Sequence, residues 1–290
     1  MIVDIHYHLD ERMEPLQRLV EQMDQHGIDK IVLMATMVDP FHVEGLAEKT
    51  AQLLRKMLTG PWNSLGLLFY ESLVTKDGKF KVLTNTYNID QCPDNELVTR
   101  AIKAHPDRFY AWYFINPVLE DALAKMRENI ETGKWLGIKC HPFWHCFPIM
   151  KLDEIASYCV EKDMPIIIHL GGKKENGDFR YLPEKYPDLK VIYAHAGIPH
   201  YSKMWPYVKN KKNVYVDLSS PYLDEPLRRN AVQALGAEKC LYGSDGPYGY
   251  PAEDHLYDHG AIIAEIDRLP ISTHEKEKIL GKNFSEIAKL

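Results

Sequence analysis

The sequence has few cysteines, and no spacing pattern links them. Its 290 residues include five cysteines, an odd number, without a CxxC motif. A disulfide framework is therefore excluded as the basis of the fold, and reduced, mostly buried thiols are expected. We predict a cytoplasmic protein on this ground. Cys140 falls inside an apolar run and is expected in the core.

Long apolar runs and basic clusters are also missing. No stretch reaches the roughly 18 apolar residues that a membrane span needs, and the first residues do not resemble a signal peptide. The formal net charge is −6, and the densest basic run is KNKK at 209–212. We therefore expect no membrane partner and no nucleic-acid partner. The first apolar run is not followed by GxGxxG, so a dinucleotide-binding fold has little support.

What the sequence does contain is a regular alternation of short apolar runs and helical patterns. The runs are nearly continuous, as in parallel strands that are buried on both faces. Eight strands are predicted, at 2–6, 30–36, 109–115, 135–141, 165–171, 190–197, 213–219 and 239–245. Repeated strand–helix alternation predicts an α/β fold, a (β/α)8 TIM barrel, with an open doubly wound sheet as the alternative.

Helical spacing of apolar residues marks the segments between the strands. The clearest predicted helices are 12–26, 120–132, 152–163, 253–268 and 272–289. The last is expected to begin with Ser272 or Thr273 as its N-cap, and Thr273 with Lys276 does not make a capping box.

One segment, residues 60–92, does not fit the alternation. Its KDGK sequence at 76–79 predicts a hairpin turn between two β-prone runs. We predict a single barrel domain over 1–290 with a hairpin or lid inserted after the second helix. The sequence leaves open whether the insertion caps the site or forms a dimer contact, and a homodimer is expected.

Ionisable residues collect at the ends of the predicted strands, where the chemistry of such a barrel is found. They come from the first, fourth, fifth, sixth and eighth strands, and they are His6, His8, Lys139, His141, His169, His195 and Asp245.

Several of these side chains suit a metal ion. Imidazole nitrogen and carboxylate oxygen are ligands for zinc, manganese or iron(II). Residues i and i+2 of a strand point the same way, so His6 and His8 can bind one ion together. His169 and Asp245 come from other sides of the mouth and could complete the shell. Such an ion lowers the pKa of a bound water toward ~7. Zinc is the predicted metal, with manganese or iron(II) as alternatives.

Five motifs in order carry a family resemblance: DIHYH, GIKCHP, IIIHLGG, VIYAHAG and LYGSDGPYG. They resemble the amidohydrolase superfamily, and more narrowly its amidohydrolase-related (amidohydrolase 2) branch, over residues 1 to about 285. That branch includes aminocarboxymuconate-semialdehyde and resorcylate-type decarboxylases, and hydrolases of lactones and similar rings. The resemblance implies an enzyme with a small-molecule substrate.

The resemblance also implies residue roles. It matches His6, His8, His169 and Asp245 to metal ligands. His195 matches the residue that acts as acid and base in mononuclear members and ligates a second ion in binuclear ones. Lys139 lies roughly where binuclear members carry a bridging group, but its motif resembles the mononuclear type, so one divalent ion is predicted.

Three further residues are candidates for substrate binding. Lys139 would hold a substrate carboxylate or oxyanion, or else pair with an acidic neighbour. His141 would contact substrate or donate a proton, or else shape the loop before Pro142. Arg180, in a polar loop, would be an anion clamp, with a solvated position as the alternative. Aromatic residues are also expected around the mouth: Phe143, Trp144, Tyr248 and Tyr250.

The predicted function is a metal-dependent hydrolase. A metal-activated water would attack a small cyclic or carboxylate-bearing amide, lactone or ester, with His195 and Asp245 moving the proton. The alternative is a metal-dependent nonoxidative decarboxylase of a small aromatic or muconate-type acid. A barrel that binds a metal or ligand without catalysis is the third class considered.

Overall fold

The computed structural model describes residues 1–41, 45–75, 77–220, 222–249 and 256–290. Tyr250, one of the aromatics predicted at the mouth, lies outside the described residues. The strands are β1 Val3–His8, β2 Lys30–Met34, β3 Lys79–Val82, β4 Asn85–Asn88, β5 Phe109–Ile115, β6 Trp135–Cys140, β7 Ile166–Ile168, β8 Val191–Tyr193, β9 Val214–Asp217 and β10 Cys240–Leu241.

Helices alternate with these strands. The helices are α1 Leu16–His26, α2 Leu46–Thr59, α3 Asn63–Ser72, α4 Asn95–Ala104, α5 Ala122–Thr132, α6 Asp153–Lys162, α7 Tyr181–Lys185, α8 Tyr201–Lys209, α9 Glu225–Leu235, α10 Ala261–Asp267, α11 Thr273–Glu277 and α12 Asn283–Ala288. A π-helical turn, Lys278–Lys282, joins α11 to α12.

Eight parallel strands close into a barrel. Their order is β1-β2-β5-β6-β7-β8-β9-β10. The circle closes because Ile5 N–H donates to the Tyr242 carbonyl at 3.2 Å and His8 N–H donates to the Gly246 carbonyl at 2.7 Å. This confirms the predicted (β/α)8 barrel, with a strand at each predicted position, and it excludes the doubly wound sheet, which would stay open.

A shift of register in β1 decides which of its side chains face the barrel interior. Pairing with β2 is irregular between residues 4 and 7. Val3 and Ile5 belong to the inner apolar cluster, and strict alternation would then turn His6 and His8 outward. The bulge restores them to the inner side at the carboxyl-terminal end of the strand.

The inner cluster fills the barrel below these histidines with side chains from several strands. They include Val32, Trp112, Ile167, Ile192 and Leu241, all fully buried. The Trp112 indole N–H donates to the Ile5 carbonyl at 2.7 Å, so even this large ring is fully satisfied. Cys140 is buried, as predicted.

Helix boundaries follow local signals. Helix α1 begins after Pro15, four residues later than predicted, and ends at Gly27, whose φ of 66° is the left-handed conformation that glycine tolerates. Ser272 is the N-cap of α11, one of the two predicted positions. It does form a capping box, with Glu275 as the third helical residue.

The segment between β2 and β5 contains α2, α3, the antiparallel pair β3–β4 and α4. The turn of that pair is Leu83–Thr84. The hairpin turn predicted at 76–79 is present as a separate turn, across which Val74 and Phe80 form an antiparallel bridge and Thr75 N–H donates to the Lys79 carbonyl at 2.9 Å. Lys76 lies outside the described residues. The Leu83–Thr84 turn has no Gly or Asn to signal it, although Leu83 has a φ of 56°.

No helix within the described part of the chain combines the length and the apolar character needed to cross a membrane.

Candidate metal centre

His6 and His8 leave β1 with their rings held by partners on the outer side. His6 Nδ1–H donates to Asp217 Oδ2 at 2.9 Å, and His8 Nδ1–H donates to the Ala35 carbonyl at 2.8 Å. Each Nε2 then keeps its lone pair. These two atoms lie 3.4 Å and 3.8 Å from the same oxygen, Asp245 Oδ1.

His169 and His195 follow the neighbouring strands β7 and β8, and their rings are in contact at the mouth. His195 Nε2 is 3.1 Å from His169 Nδ1. His195 Nδ1–H donates to Ser219 Oγ at 2.8 Å, because the serine hydroxyl itself donates to Asp217. His169 Nε2 lies 2.7 Å from the Tyr70 hydroxyl. That hydroxyl donates to the Leu170 carbonyl, so it can accept the His169 proton.

Asp245 follows β10 and completes the group. Its Oδ2 lies 3.8 Å from His195 Nε2. The ligand atoms of His6, His195 and Asp245 all lie within 4.8 Å of one another. The structure thus brings together the residues predicted as ligands and as acid–base. Their roles as ligands remain predictions, and His195 lies as close to the carboxylate as His8 does.

Two glycines let the Asp245 loop pack against β1. The positive φ falls on Asp245 itself, at 61°, which aspartate tolerates better than most residues. A Cβ at Gly243 would lie 2.8 Å from the His6 Cβ, and one at Gly246 would lie 2.7 Å from the Tyr7 ring. The glycines therefore serve close approach, and the Asp245 N–H donates to the His6 carbonyl at 2.6 Å.

Sequence reasoning missed Asp217 and Ser219, at the end of β9. Asp217 is fully buried. It accepts His6 Nδ1–H with one oxygen, and with the other it accepts the backbone N–H groups of His195 and Ser219 at 2.9 Å and 3.0 Å. The signal was available, because a charged residue ends an apolar strand in the run NVYVDLS.

Tyr70 is the other missed residue, and it comes from α3. Its ring stacks on Phe143 with centroids 4.1 Å apart, besides contacting His169. Phe80 of β3 similarly stacks on Trp144 at 5.1 Å. The segment between β2 and β5 therefore covers part of the barrel mouth. No local pattern in the sequence predicts that Tyr70 contacts a residue at a strand end more than 90 positions away.

Burial keeps the imidazoles neutral. It lowers the pKa of His8 to about 3 and lowers the pKa values of His6, His169 and His195 well below the usual range. Burial also raises the pKa of Asp245 to about 8, although the positive charge of Lys139 acts to lower it. Neutral imidazoles offer lone pairs at neutral pH without first losing a proton.

Lys139 stands in the same cluster. Its side chain is fully buried, and Nζ lies 3.2 Å from His6 Nε2. Burial lowers the pKa of Lys139 to about 8, while the charges of Asp245 and Asp217 act to raise it. Lys139 thus has acidic neighbours, one of the two readings that the sequence left open, and its part in substrate binding remains a prediction.

His141 differs from His6, His8 and His195 in which nitrogen is protonated. Its Nδ1 accepts the Trp144 backbone N–H at 3.1 Å, so the neutral ring carries its proton on Nε2. That nitrogen is buried and has no hydrogen-bond partner among the described residues. The ring stacks on His169 with centroids 4.1 Å apart. His141 therefore offers a proton beside the cluster, where its neighbours offer lone pairs.

Arg180 is not brought to the cluster. Its side chain is exposed, and its guanidinium lies over the rings of Phe179 and Tyr207 at 5.7 Å and 5.5 Å. Within the described ranges, Arg180 makes no hydrogen bond or ion pair with the histidines of the cluster. Tyr248, in contrast, does reach the mouth, with its ring 5.9 Å from the His8 ring.

The residues present fit a divalent cation. His8 Nε2 and Asp245 Oδ1 are buried and lack hydrogen-bond partners in the described part of the chain, an arrangement that costs stability unless something binds them. Neutral imidazoles and one carboxylate are a ligand set for zinc, manganese or iron(II). The outer nitrogens are held by fixed acceptors, as metal-binding histidines usually are.

Fold and site together define a (β/α)8 barrel with a histidine–carboxylate cluster at the carboxyl-terminal mouth. A family model described as amidohydrolase matches residues 84–283. The chain belongs to the amidohydrolase family, as its motifs predicted. No curated protein matches the sequence.

Solved structures share the fold at low sequence identity. A probable 2-pyrone-4,6-dicarboxylic acid hydrolase from Acinetobacter baumannii has a TM-score of 0.64 at 15% identity, covering 100% of this chain and 99% of that one. The 4-oxalomesaconate hydratase of Rhodopseudomonas palustris gives 0.60 at 14%, covering 100% and 96%. A dihydroxybenzoic acid decarboxylase from a Polaromonas species, with bound manganese, gives 0.57 at 15%, covering 100% and 97%.

Proposed function

We propose that the protein is a metal-dependent hydrolase of a small cyclic or carboxylate-bearing lactone, ester or amide. One observation carries the proposal: three buried histidines, His6, His8 and His195, turn lone pairs toward Asp245 while His141 presents an N–H. Lone pairs suit a cation, and an N–H donor suits the oxygen of a carbonyl under attack. Both features are needed in hydrolysis, and they stand side by side at the barrel mouth.

The proposed ligands are His6, His8, His169 and Asp245, with one zinc, manganese or iron(II) ion. Such an ion, when bound, supplies Lewis-acid polarisation and lowers the pKa of water. His195 Nε2 lies 3.8 Å from Asp245 Oδ2, so these two groups can accept the proton of an attacking water and return it to the leaving group.

His141 and Lys139 are proposed to bind substrate oxygens. The His141 Nε2–H is already oriented by the Trp144 backbone, so little reorganisation is needed when charge builds on a carbonyl oxygen. Lys139 offers the cationic partner for a carboxylate. Arg180 stays an alternative anion clamp only if its loop can turn it away from Phe179 and Tyr207.

A nonoxidative decarboxylase is the second candidate, and solved decarboxylases with this fold favour it. A substrate carboxylate would then have to share Lys139 with Asp245 and Asp217, whose charges already act on it. A hydrolase can also act on lactones, esters or amides without a carboxylate, and for these it needs no free cation. We rank the hydrolase first for that reason.

The test reconstitutes the purified protein with zinc or manganese. Lactones, aryl esters and amides are followed by acid release, and hydroxybenzoic acids are followed by CO2 release. We expect hydrolysis that chelation abolishes. The His141→Phe variant keeps a ring at this position without an N–H donor, and it should keep its metal and lose about 10²–10³-fold in kcat, as for loss of an oxyanion donor. CO2 release without hydrolysis would move the protein to the decarboxylases, and activity that survives complete metal removal would refute metal dependence.

A further inference from the structure

A cavity separate from the histidine cluster lies beneath the segment that covers the barrel mouth. Its walls are formed by α2, α3, β3 and the residues after β9, and they include Ala51, Leu54, Phe69, Phe80 and Tyr222. The cavity offers about 40 Å³ to the centres of water-sized groups. Apart from Thr50 and the Tyr222 hydroxyl, its lining side chains are apolar.

The cavity adjoins the metal centre on two sides. Tyr222 is shared by both, since its ring lies 5.9 Å from the His195 ring. On another side, the cavity residue Phe41 stacks on Tyr248 at 5.5 Å, and Tyr248 in turn lies 5.9 Å from His8. At Tyr222 the cavity is therefore one side chain away from His195.

The lining decides what can occupy the space. An ordered water needs two to four polar partners, and this lining offers very few. The apolar side chains around an empty cavity also lack dispersion contacts on that side. One water-sized group needs about 10–15 Å³ by this measure, so 40 Å³ accommodates about three to four carbon atoms.

We propose that this cavity is a binding subsite for a short apolar group of the substrate, about three to four carbons in size. The group would be attached to the carbonyl or carboxyl carbon that reaches the metal centre. This inference rests on the proposed function and deepens it, because it defines the substrate class as short-chain or small branched acyl compounds. Tyr222 forms the boundary between the two subsites.

The test measures binding, because the substrate is unidentified. Straight-chain hydroxamic acids, from acetohydroxamic to octanohydroxamic acid, are titrated calorimetrically into the full-length protein loaded with zinc or manganese. The hydroxamate group anchors each probe on the metal, and only the alkyl chain varies. We expect affinity to rise about fourfold per methylene until the chain has about four carbons, and then to level off.

Three variants check the location. Ala51→Phe fills the cavity and should abolish the chain-length gain while leaving acetohydroxamic acid binding unchanged. Gln52→Phe places the same ring on the exposed side of α2 and should behave as the parent protein. Leu54→Ala enlarges the cavity and should move the plateau to longer chains, which keeps the test informative if Ala51→Phe does not fold.

The outcomes separate the two proposals. If acetohydroxamic acid binds the parent protein but affinity does not change with chain length, the cavity inference is overturned and the proposed function still stands. Failure of every hydroxamate to bind the metal-loaded protein overturns the proposed function, and the cavity inference falls with it. A chain-length gain that Ala51→Phe and Leu54→Ala both leave unchanged would place the apolar subsite elsewhere and also refute the inference.

Discussion

Replacing Asp217 with asparagine should weaken metal binding without altering any predicted ligand. The Asp217 carboxylate accepts His6 Nδ1–H at 2.9 Å, which leaves the lone pair on Nε2. An asparagine amide that turns its NH2 toward His6 would favour the opposite tautomer, with the proton on Nε2, where the cation is expected. The same carboxylate accepts the Ser219 hydroxyl and so fixes the His195 tautomer as well.

The magnitude follows from this double role. Loss of one orienting partner of a metal-binding histidine costs about 10–100-fold in affinity. Because Asp217 acts on two rings, we expect the upper end, about 100-fold, which corresponds to about 2.7 kcal/mol. Ser219→Ala removes only the His195 partner and should cost about 10-fold.

The assay is chelator competition for zinc or manganese, with thermal unfolding of the metal-free protein measured alongside. Asp4→Asn is the matched control, because Asp4 is equally buried and its Oδ1 accepts the backbone N–H groups of His6 and Ser244. An amide oxygen can keep both bonds, so metal affinity should not change. A folded Asp217→Asn protein with the parent affinity would refute the reasoning.

Three other results are expected. His169→Ala should lose most of its metal by elemental analysis, while His195→Ala should keep it and lose turnover; an emptied site in His195→Ala would contradict the single-metal assignment. Burial lowers the pKa of His145 to about 4, so its stabilising contribution is present above the unfolded pKa of about 6.5 and is lost as pH falls toward 4. In His145→Gln, the loss of unfolding free energy between pH 7 and pH 5 should be smaller by about 2 kcal/mol, and equal losses in both proteins would contradict this. Glu265→Leu should destabilise by about 3 kcal/mol in urea unfolding, because Glu265 pairs with the fully buried Arg228; a change below about 1 kcal/mol would mean that the remaining partners of Arg228 suffice.

The barrel could be predicted from sequence because its signals are local. Each strand is a short apolar run, and polar residues at the run ends mark the mouth, so the placement of His6, His169, His195 and Asp245 followed from one rule. The same rule, applied to the seventh run, would have added Asp217.

Other features depend on contacts that no local pattern encodes. The register shift in β1 is visible only through its pairing with β2. Tyr70 reaches His169 from a helix 99 positions earlier in the chain. Arg180 looked like an anion clamp because its loop is polar, but stacking on Phe179 and Tyr207 turns it elsewhere. The predicted homodimer and the limits of the insertion stay predictions.

The chemical roles of the histidines illustrate this limit most clearly. An imidazole can offer either a lone pair or a proton to the centre of a site, and the partner of its other nitrogen decides which. Acceptors behind His6, His8 and His195 leave lone pairs facing inward, whereas the donor behind His141 leaves a proton. Sequence shows five similar histidines at strand ends. The folded chain separates them into candidates for binding a cation and a candidate for binding an oxygen, because backbone and carboxylate groups from other strands fix each tautomer.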